Sequence, residues 1–419
     1  MSTSKNHSYL FAFILVTCLF FLWGFAHNLD PILIPHLKKS FTLTNTQATL
    51  IDSAVFIAYF LMALPAGFIM KRFGYKAGII VGLLLFSAGS FMFLPAADHQ
   101  SYNYFLIALF VIACGLTILE TAANPYAAAL GDPSTSTQRL NFAQSFNGLA
   151  AALAPVIGAR IILTKGHSDI ELNAMTDAAK QIALASEAAS VKMPYAILGI
   201  VLILVAVLFA LVHLPKIQQS TGHVASKNIF HAFKHKHLTW AVVAQFFYVG
   251  AQVTVFSMFI LYAEKAALLQ QVDAADYLGA CGIAFLIGRF LGTFFMKFVA
   301  PQKLLALYAS INTLLCIIAI AASGMVTVYA IIGICFFMSI MFPTIFSLGI
   351  NQLKGDTEYG SSLIIMSIVG GAILPRFFGM ISDSTGNIQL GYIVPLVCFL
   401  VIIFFGWKGY KVNTNTEEI

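Results

Sequence analysis

Six ionisable residues stand inside stretches otherwise too apolar to carry a charge: Asp30, Asp52 and Glu120, with Arg160, Arg289 and Arg376 as basic counterparts. A charge near the middle of a bilayer costs ~2.5 kcal/mol or more, so each needs a partner, an aqueous cavity or a proton. Glu120 lies in Leu119-Glu-Thr-Ala-Ala-Asn-Pro125, where it shares a helix face with Asn124 and Pro125 frees a backbone carbonyl one turn earlier. Withdrawal from water disfavours the charged form of a carboxyl, which suits Glu120 to hold or release a proton near neutrality. The alternative is a permanent ion pair with Arg139 or Arg160 that locks two helices together.

Amides supply the second chemistry. Asn141, Gln144 and Asn147, with Gly148, recur at three- and four-residue spacing and form one polar stripe on an apolar helix. Groups that both donate and accept suit a polyhydroxylated ligand, although the same stripe also serves as interhelical glue at ~0.6 kcal/mol per bond. Gln245, Tyr248 and Gln252 repeat the device further along, with Trp23, Tyr248 and Phe256 available to lie against the apolar face of a sugar-like ring. Near the start, His27, Asn28 and Asp30 precede Pro31, which biases Asp30 away from α geometry. Asp52 falls at a similar expected depth, where a carboxylate near a helix N-terminus is also favoured by the dipole.

The elements that must hold these groups follow from composition. Of 419 residues, 59% are hydrophobic and 10% charged, with a mean hydropathy of +0.87; a soluble chain carries about 25% charged residues. The net charge of +6 is scattered between apolar runs rather than gathered in a patch, so nucleic acid is not an expected partner. All six cysteines lie in apolar runs without CxxC or CxxH spacing, so they read as packing residues and no metal is expected. The first run carries Trp23, His27, Asn28 and Asp30, with no small-residue cleavage site after it, and is expected to be a retained helix.

Twelve spans are expected at 9–36, 47–71, 76–97, 102–130, 139–164, 193–214, 239–264, 275–298, 302–322, 326–350, 358–383 and 391–411, each able to cross ~30 Å of hydrocarbon. The fold class is an all-α membrane protein of two pseudo-symmetric six-helix bundles, 1–214 and 239–419, joined by a cytoplasmic linker at 215–238. Phe68-Ile-Met-Lys71 and Phe294-Phe-Met-Lys297 echo each other six spans apart, as do Asn124-Pro125 and Phe342-Pro343. Parallel repeats of this kind belong to alternating-access carriers. Lys and Arg concentrate in the connections that share a side with both termini, including Lys71, Arg72, Lys76 and Arg139, which places the termini inside. The segment 165–192, rich in Ala and of mixed charge, is expected to be the one sizeable external loop. These features together describe a carrier of a small polar solute; no HExxH, GxSxG or P-loop string points to an enzyme.

Four strings narrow this reading: Phe20-Phe-Leu-Trp-Gly-Phe-Ala-His-Asn-Leu-Asp-Pro-Ile-Leu-Ile-Pro35, Leu119–Pro125, Arg139-Leu-Asn-Phe-Ala-Gln-Ser-Phe-Asn147 and Pro343-Thr-Ile-Phe-Ser-Leu-Gly349. With Gln245-Phe-Phe-Tyr-Val-Gly-Ala-Gln252, they closely resemble the fucose permease family, the fucose–galactose–glucose proton symporters of the major facilitator superfamily. The resemblance runs over nearly the whole chain. It implies a proton-coupled symporter that imports a monosaccharide by alternating access, L-fucose first and glucose, galactose or N-acetylglucosamine next. A facilitator remains the alternative.

The resemblance also implies roles. Carried over by motif, Glu120 would carry the proton and Asn28, Gln144 and Asn147 would meet the sugar; from the residues themselves, Tyr248 and Gln252 are expected to join the sugar contacts, Asp30 or Asp52 to be a second titratable group, and Arg139, Lys71, Arg72 and Pro31 to shape the gates. It further implies no cofactor beyond the coupling proton, a functional monomer, and a bacterial inner membrane with both termini cytoplasmic. Two motifs depart from the pattern. The family's first helix reads N-L-N-D-I-L, whereas this chain reads Asn28-Leu-Asp-Pro31-Ile-Leu, displacing the acid by one position and thus by about 100° around a helix. The superfamily's G-x-x-x-D-R-x-G-R appears as Gly67-Phe-Ile-Met-Lys71-Arg-Phe-Gly-Tyr-Lys76, with Lys71 in place of Asp.

Overall fold

A computed structural model of the chain describes residues 3–27, 41, 45–158, 175–215 and 229–412. The helices are α1 (Thr3–His27), α2 (Asn45–Phe73), α3 (Tyr75–Asp98), α4 (Tyr102–Ala129), α5 (Ser136–Gly158), α6 (Asp177–Ala189), α7 (Lys192–Leu211) and α8 (Lys236–Ala266). After them come α9 (Gln271–Phe295), α10 (Pro301–Ala321), α11 (Met325–Met338), α12 (Met341–Gly349), α13 (Thr357–Met366), α14 (Gly370–Thr385) and α15 (Ile393–Phe404). Eleven stretches among the described residues are long and apolar enough to cross a membrane. α5 is not one of them, because the amide stripe lowers its hydropathy. Leu204, Ile283 and Leu314 are each more than half exposed, as expected where the outer surface meets lipid.

Three features depart from a plain series of rods. α6 forms inside the segment expected to be a loop; its sequence Asp177-Ala-Ala-Lys-Gln-Ile-Ala-Leu-Ala-Ser-Glu-Ala-Ala189 is dense in the strongest helix former. The tenth span is broken into α11 and α12 at Ser339–Ile340. The eleventh is broken into α13 and α14 by a 3-10 turn over Ser367–Val369. Pro125, by contrast, sits inside an unbroken α4, so the sequence echo between Asn124-Pro125 and Phe342-Pro343 does not extend to backbone geometry.

Packing groups the chain into two compact units: Met1–Thr17 with Ala123–Gly148 and Pro215–Ile419, and Cys18–Ala122 with Leu149–Leu214. In the second unit α3 packs against α4 and α7. Gly82 and Gly115 let the backbones of α3 and α4 touch: a Cβ at Gly115 would lie 2.5 Å from the Phe86 nitrogen. Phe93 stacks on Tyr195 at 3.7 Å, and Ser87 Oγ donates to the Gly199 carbonyl at 2.8 Å. Lys76 donates to the carbonyls of Ala210 and Val212 at 2.8 and 2.9 Å, satisfying the open C-terminal end of α7. This gives the last cation of the Gly67–Lys76 motif a capping task.

In the first unit α8 is the central post, packed against α9, the two broken spans and α15. Gly370 brings the start of α14 onto the Phe246 carbonyl of α8, where a Cβ would lie at 2.1 Å. The start of α8 is fixed by His237 Nε2 on the Asn351 carbonyl at 2.8 Å and by His235 within 3.5 Å of Asp356. These contacts set the depth of the Gln245–Gln252 stripe.

Candidate functional site

The amide stripe of α5 is real and partnered. Gln144, 4% exposed, donates from Nε2 to Asn124 Oδ1 at 2.8 Å, while Asn124 is fully buried on α4. The bond joins consecutive helices at the turn of α4 that follows Glu120. Asn141 donates to its own helix at Thr137 O (2.9 Å) and across to Thr344 Oγ1 of α12 at 3.1 Å. Asn147 is half-buried and engaged within the fold.

Glu120 is 6% exposed in the second unit, and the Tyr59 hydroxyl of α2 hydrogen-bonds to it. A phenol can donate to the carboxyl whether or not it carries its proton. Arg139 is occupied elsewhere: its guanidinium donates to the carbonyls of Asp132 and Ala128 at 2.6 Å each and to Thr135 Oγ1 at 2.5 Å. It thereby fastens the α4–α5 turn on itself. Asp132 in that turn accepts from Ser134 N and Oγ, bonds that hold its carboxyl below the usual range.

Arg289 of α9 supplies a bridge. It is 4% exposed, donates from Nε to Ser339 O at 2.8 Å and from Nη1 to Gln144 O at 2.9 Å, and lies 4.6 Å over the Phe285 ring. One planar fork therefore satisfies the carbonyl freed where α11 breaks and the backbone of the amide-bearing turn of α5. Further bonds tie α5 to the second half of the sequence: Thr137 Oγ1 with Ser347 Oγ at 2.9 Å, and Gln138 Nε2 to Thr293 O at 3.3 Å. This clasp explains why residues 123–148 pack with the second half rather than with their sequence neighbours.

Two members of the α8 stripe, Gln245 and Tyr248, are fully buried. Among the described residues neither amide atom of Gln245 has a hydrogen-bond partner, and the Tyr248 hydroxyl approaches the Phe342 backbone without good hydrogen-bond geometry. Gln252 is half-buried. Lys71 is half-buried and engaged, whereas Arg72 is exposed and folds over Phe73 at 5.3 Å. Arg376 is exposed rather than buried, so its charge reaches the surface of α14. Asn28, Asp30, Pro31 and Arg160 lie outside the described residues; Asp52 is on α2, its side chain outside them as well.

The sequence reading missed Tyr59, one of 15 tyrosines and marked by no pattern. It also missed the hydroxyl clasp, although Thr344 and Ser347 stand three residues apart in an apolar stretch, a spacing that puts them on one helix face.

The family model described as Major Facilitator Superfamily matches residues 12–356. The chain is 44% identical over 419 aligned residues to the L-fucose-proton symporter of Escherichia coli strain K12, covering 98% of this chain and 96% of that protein. It is 39% identical over 411 residues to a glucose/galactose transporter of Brucella abortus, again covering 98% and 96%. A crystal structure of the E. coli fucose symporter FucP in the outward conformation superposes with a TM-score of 0.89 at 43% identity, covering 95% of this chain and 98% of that one. The kinship and the all-α fold expected from the motifs are borne out.

Proposed function

We propose that this chain, which belongs to the Major Facilitator Superfamily, imports a monosaccharide together with a proton by alternating access, L-fucose being its first substrate. One observation carries the reading: α4 holds a buried carboxyl at Glu120 and, one turn on, an amide, Asn124, bonded to Gln144 of α5. A proton-exchanging group and a sugar-type hydrogen-bonding pair on consecutive turns are what coupling requires. The likeness to L-fucose-proton symporters supports both the sugar and the ion.

Glu120 carries the proton, and Asp30 or Asp52 serves as the second titratable group. Asn28, Gln144 and Asn147 bind hydroxyls from the first half; Tyr248 and Gln252 face them from the second. The clasp of α5 on α9 and α12 closes the side shared by the termini, and it must open for release; Arg139, Lys71, Arg72 and Pro31 shape the ends that move. The protein works as a monomer in a bacterial inner membrane, both termini cytoplasmic, needing the proton and no cofactor.

In proteoliposomes, added L-fucose is expected to alkalinise the medium, because each sugar enters with a proton. Flux of L-fucose without any pH change would contradict coupling. The likeness to glucose/galactose transporters favours one second reading: a larger signal from D-galactose or D-glucose than from L-fucose would reassign the substrate within the same mechanism.

A further inference from the structure

Two amides among the described residues are fully buried with both side-chain atoms unbonded, Gln245 on α8 and Asn312 on α10. Only Gln245 stands in a polar constellation, one turn before Tyr248. Its placement is fixed by its neighbours. A Cβ at Gly349 would meet the Ala241 Cβ at 2.4 Å, and the Tyr248 ring lies 6.3 Å from Phe342, so α12 runs antiparallel along α8 with Gln245 midway. On the other side, the carbonyl of Phe246 touches Gly370, just past the 3-10 break of the eleventh span. The amide therefore sits where two interrupted spans flank an intact one.

A buried amide with neither group paired is a net cost, and an apolar side chain of the same shape would relieve it. No described residue supplies the partner that interhelical glue requires. A ligand that presents an acceptor and a donor side by side, as two adjacent ring hydroxyls do, satisfies both atoms at once. α12 is nine residues long and is separated from α11 by the Ser339–Ile340 break, so it can shift away from α8 without carrying the rest of its span. Discontinuous helices beside a polar side chain are where membrane carriers build such sites.

We propose that Gln245 is a further sugar-contacting, specificity-determining residue, whose amide pairs with two neighbouring hydroxyls of the monosaccharide when α12 moves aside. The inference rests on the monosaccharide reading above.

The test uses the full-length protein in detergent and compares wild type with Gln245→Met, which keeps length and loses both polar atoms; Gln245→Leu is the second variant should the first fail to fold. Binding of L-fucose and of its singly deoxygenated analogues is measured by calorimetry, alongside melting without sugar. The variant is expected to melt at or above the wild-type temperature, to bind L-fucose about ten-fold more weakly, and to lose discrimination against the analogue lacking the contacted hydroxyl. Unchanged affinity with unchanged analogue ranking overturns the proposal. So does a lower melting temperature in both variants with analogue ranking preserved, which marks a structural amide. Wild type that binds neither L-fucose, D-galactose nor D-glucose overturns the monosaccharide reading itself, an outcome distinct from either of these.

Discussion

On α5 the Gln144 side chain is bonded to Asn124 and its backbone to Arg289, whereas on α8 the fully buried Gln245 side chain has no hydrogen-bond partner among the described residues. Both stripes look alike in sequence, amides recurring at helical spacing on apolar spans. Their difference is energetic. In the proposed reading, the first stripe is a wall built before any ligand arrives, so a ligand meeting it has little ordering to impose, and the second is a wall held at a cost that a polar partner would remove. α5 is not wholly satisfied either, since Asn141 Oδ1 has no donor among the described residues, but a lone unpaired acceptor costs less than an amide unpaired at both atoms. Under that reading a carrier gains from the asymmetry: a preformed half would give selectivity at entry, and an unsatisfied half would make substrate binding drive the next movement.

The contrast yields predictions that sharpen it or break it. Arg289→Ala has the largest expected effect, about 3 kcal/mol of lost stability, because it empties a packed site over Phe285 and strips two carbonyls of their donor. Chemical denaturation in detergent reads it; a loss below about 1 kcal/mol would show that the bridge contributes little. Gln144→Leu is expected to destabilise by about 1–2 kcal/mol, since it removes a donor from buried Asn124. Gln245→Met is expected to move stability the other way, by about 1 kcal/mol. If these two variants shift melting in the same direction, the comparison fails. The smallest effect belongs to the clasp: a double-mutant cycle of Thr137→Val with Ser347→Ala is expected to give a coupling of about 0.6 kcal/mol. Thiol labelling at the terminus side should rise in the double variant, and unchanged labelling would mean that the hydroxyl pair does not hold that side closed.

Much of this was legible in the residue order, and the reasons differ by feature. The spans could be read because a run of apolar residues long enough to cross lipid has few alternatives. α6 was hidden because a mixed-charge segment reads as loop although its alanines favour a helix. The break at Ser339–Ile340 carries one mark, Pro343, which has no N–H for the Ser339 carbonyl four residues back, but a proline alone does not place a break, since Pro125 sits inside an unbroken α4; what residue order hides is the distant donor, Arg289 Nε, that takes up that carbonyl. Helical spacing placed Gln144 and Asn124 on their faces, while the bond between them needed a pairing of helices that periodicity does not report. Burial of Gln245 was readable in the same way, its lack of any partner was not.

The central claim is that Glu120 carries the coupling proton beside a sugar site it does not itself form. Glu120→Gln, reconstituted in vesicles, separates these roles. Exchange of L-fucose between preloaded vesicles and medium should stay close to wild type, while proton-driven accumulation against a gradient should vanish. Retained uphill uptake in the variant would contradict the account.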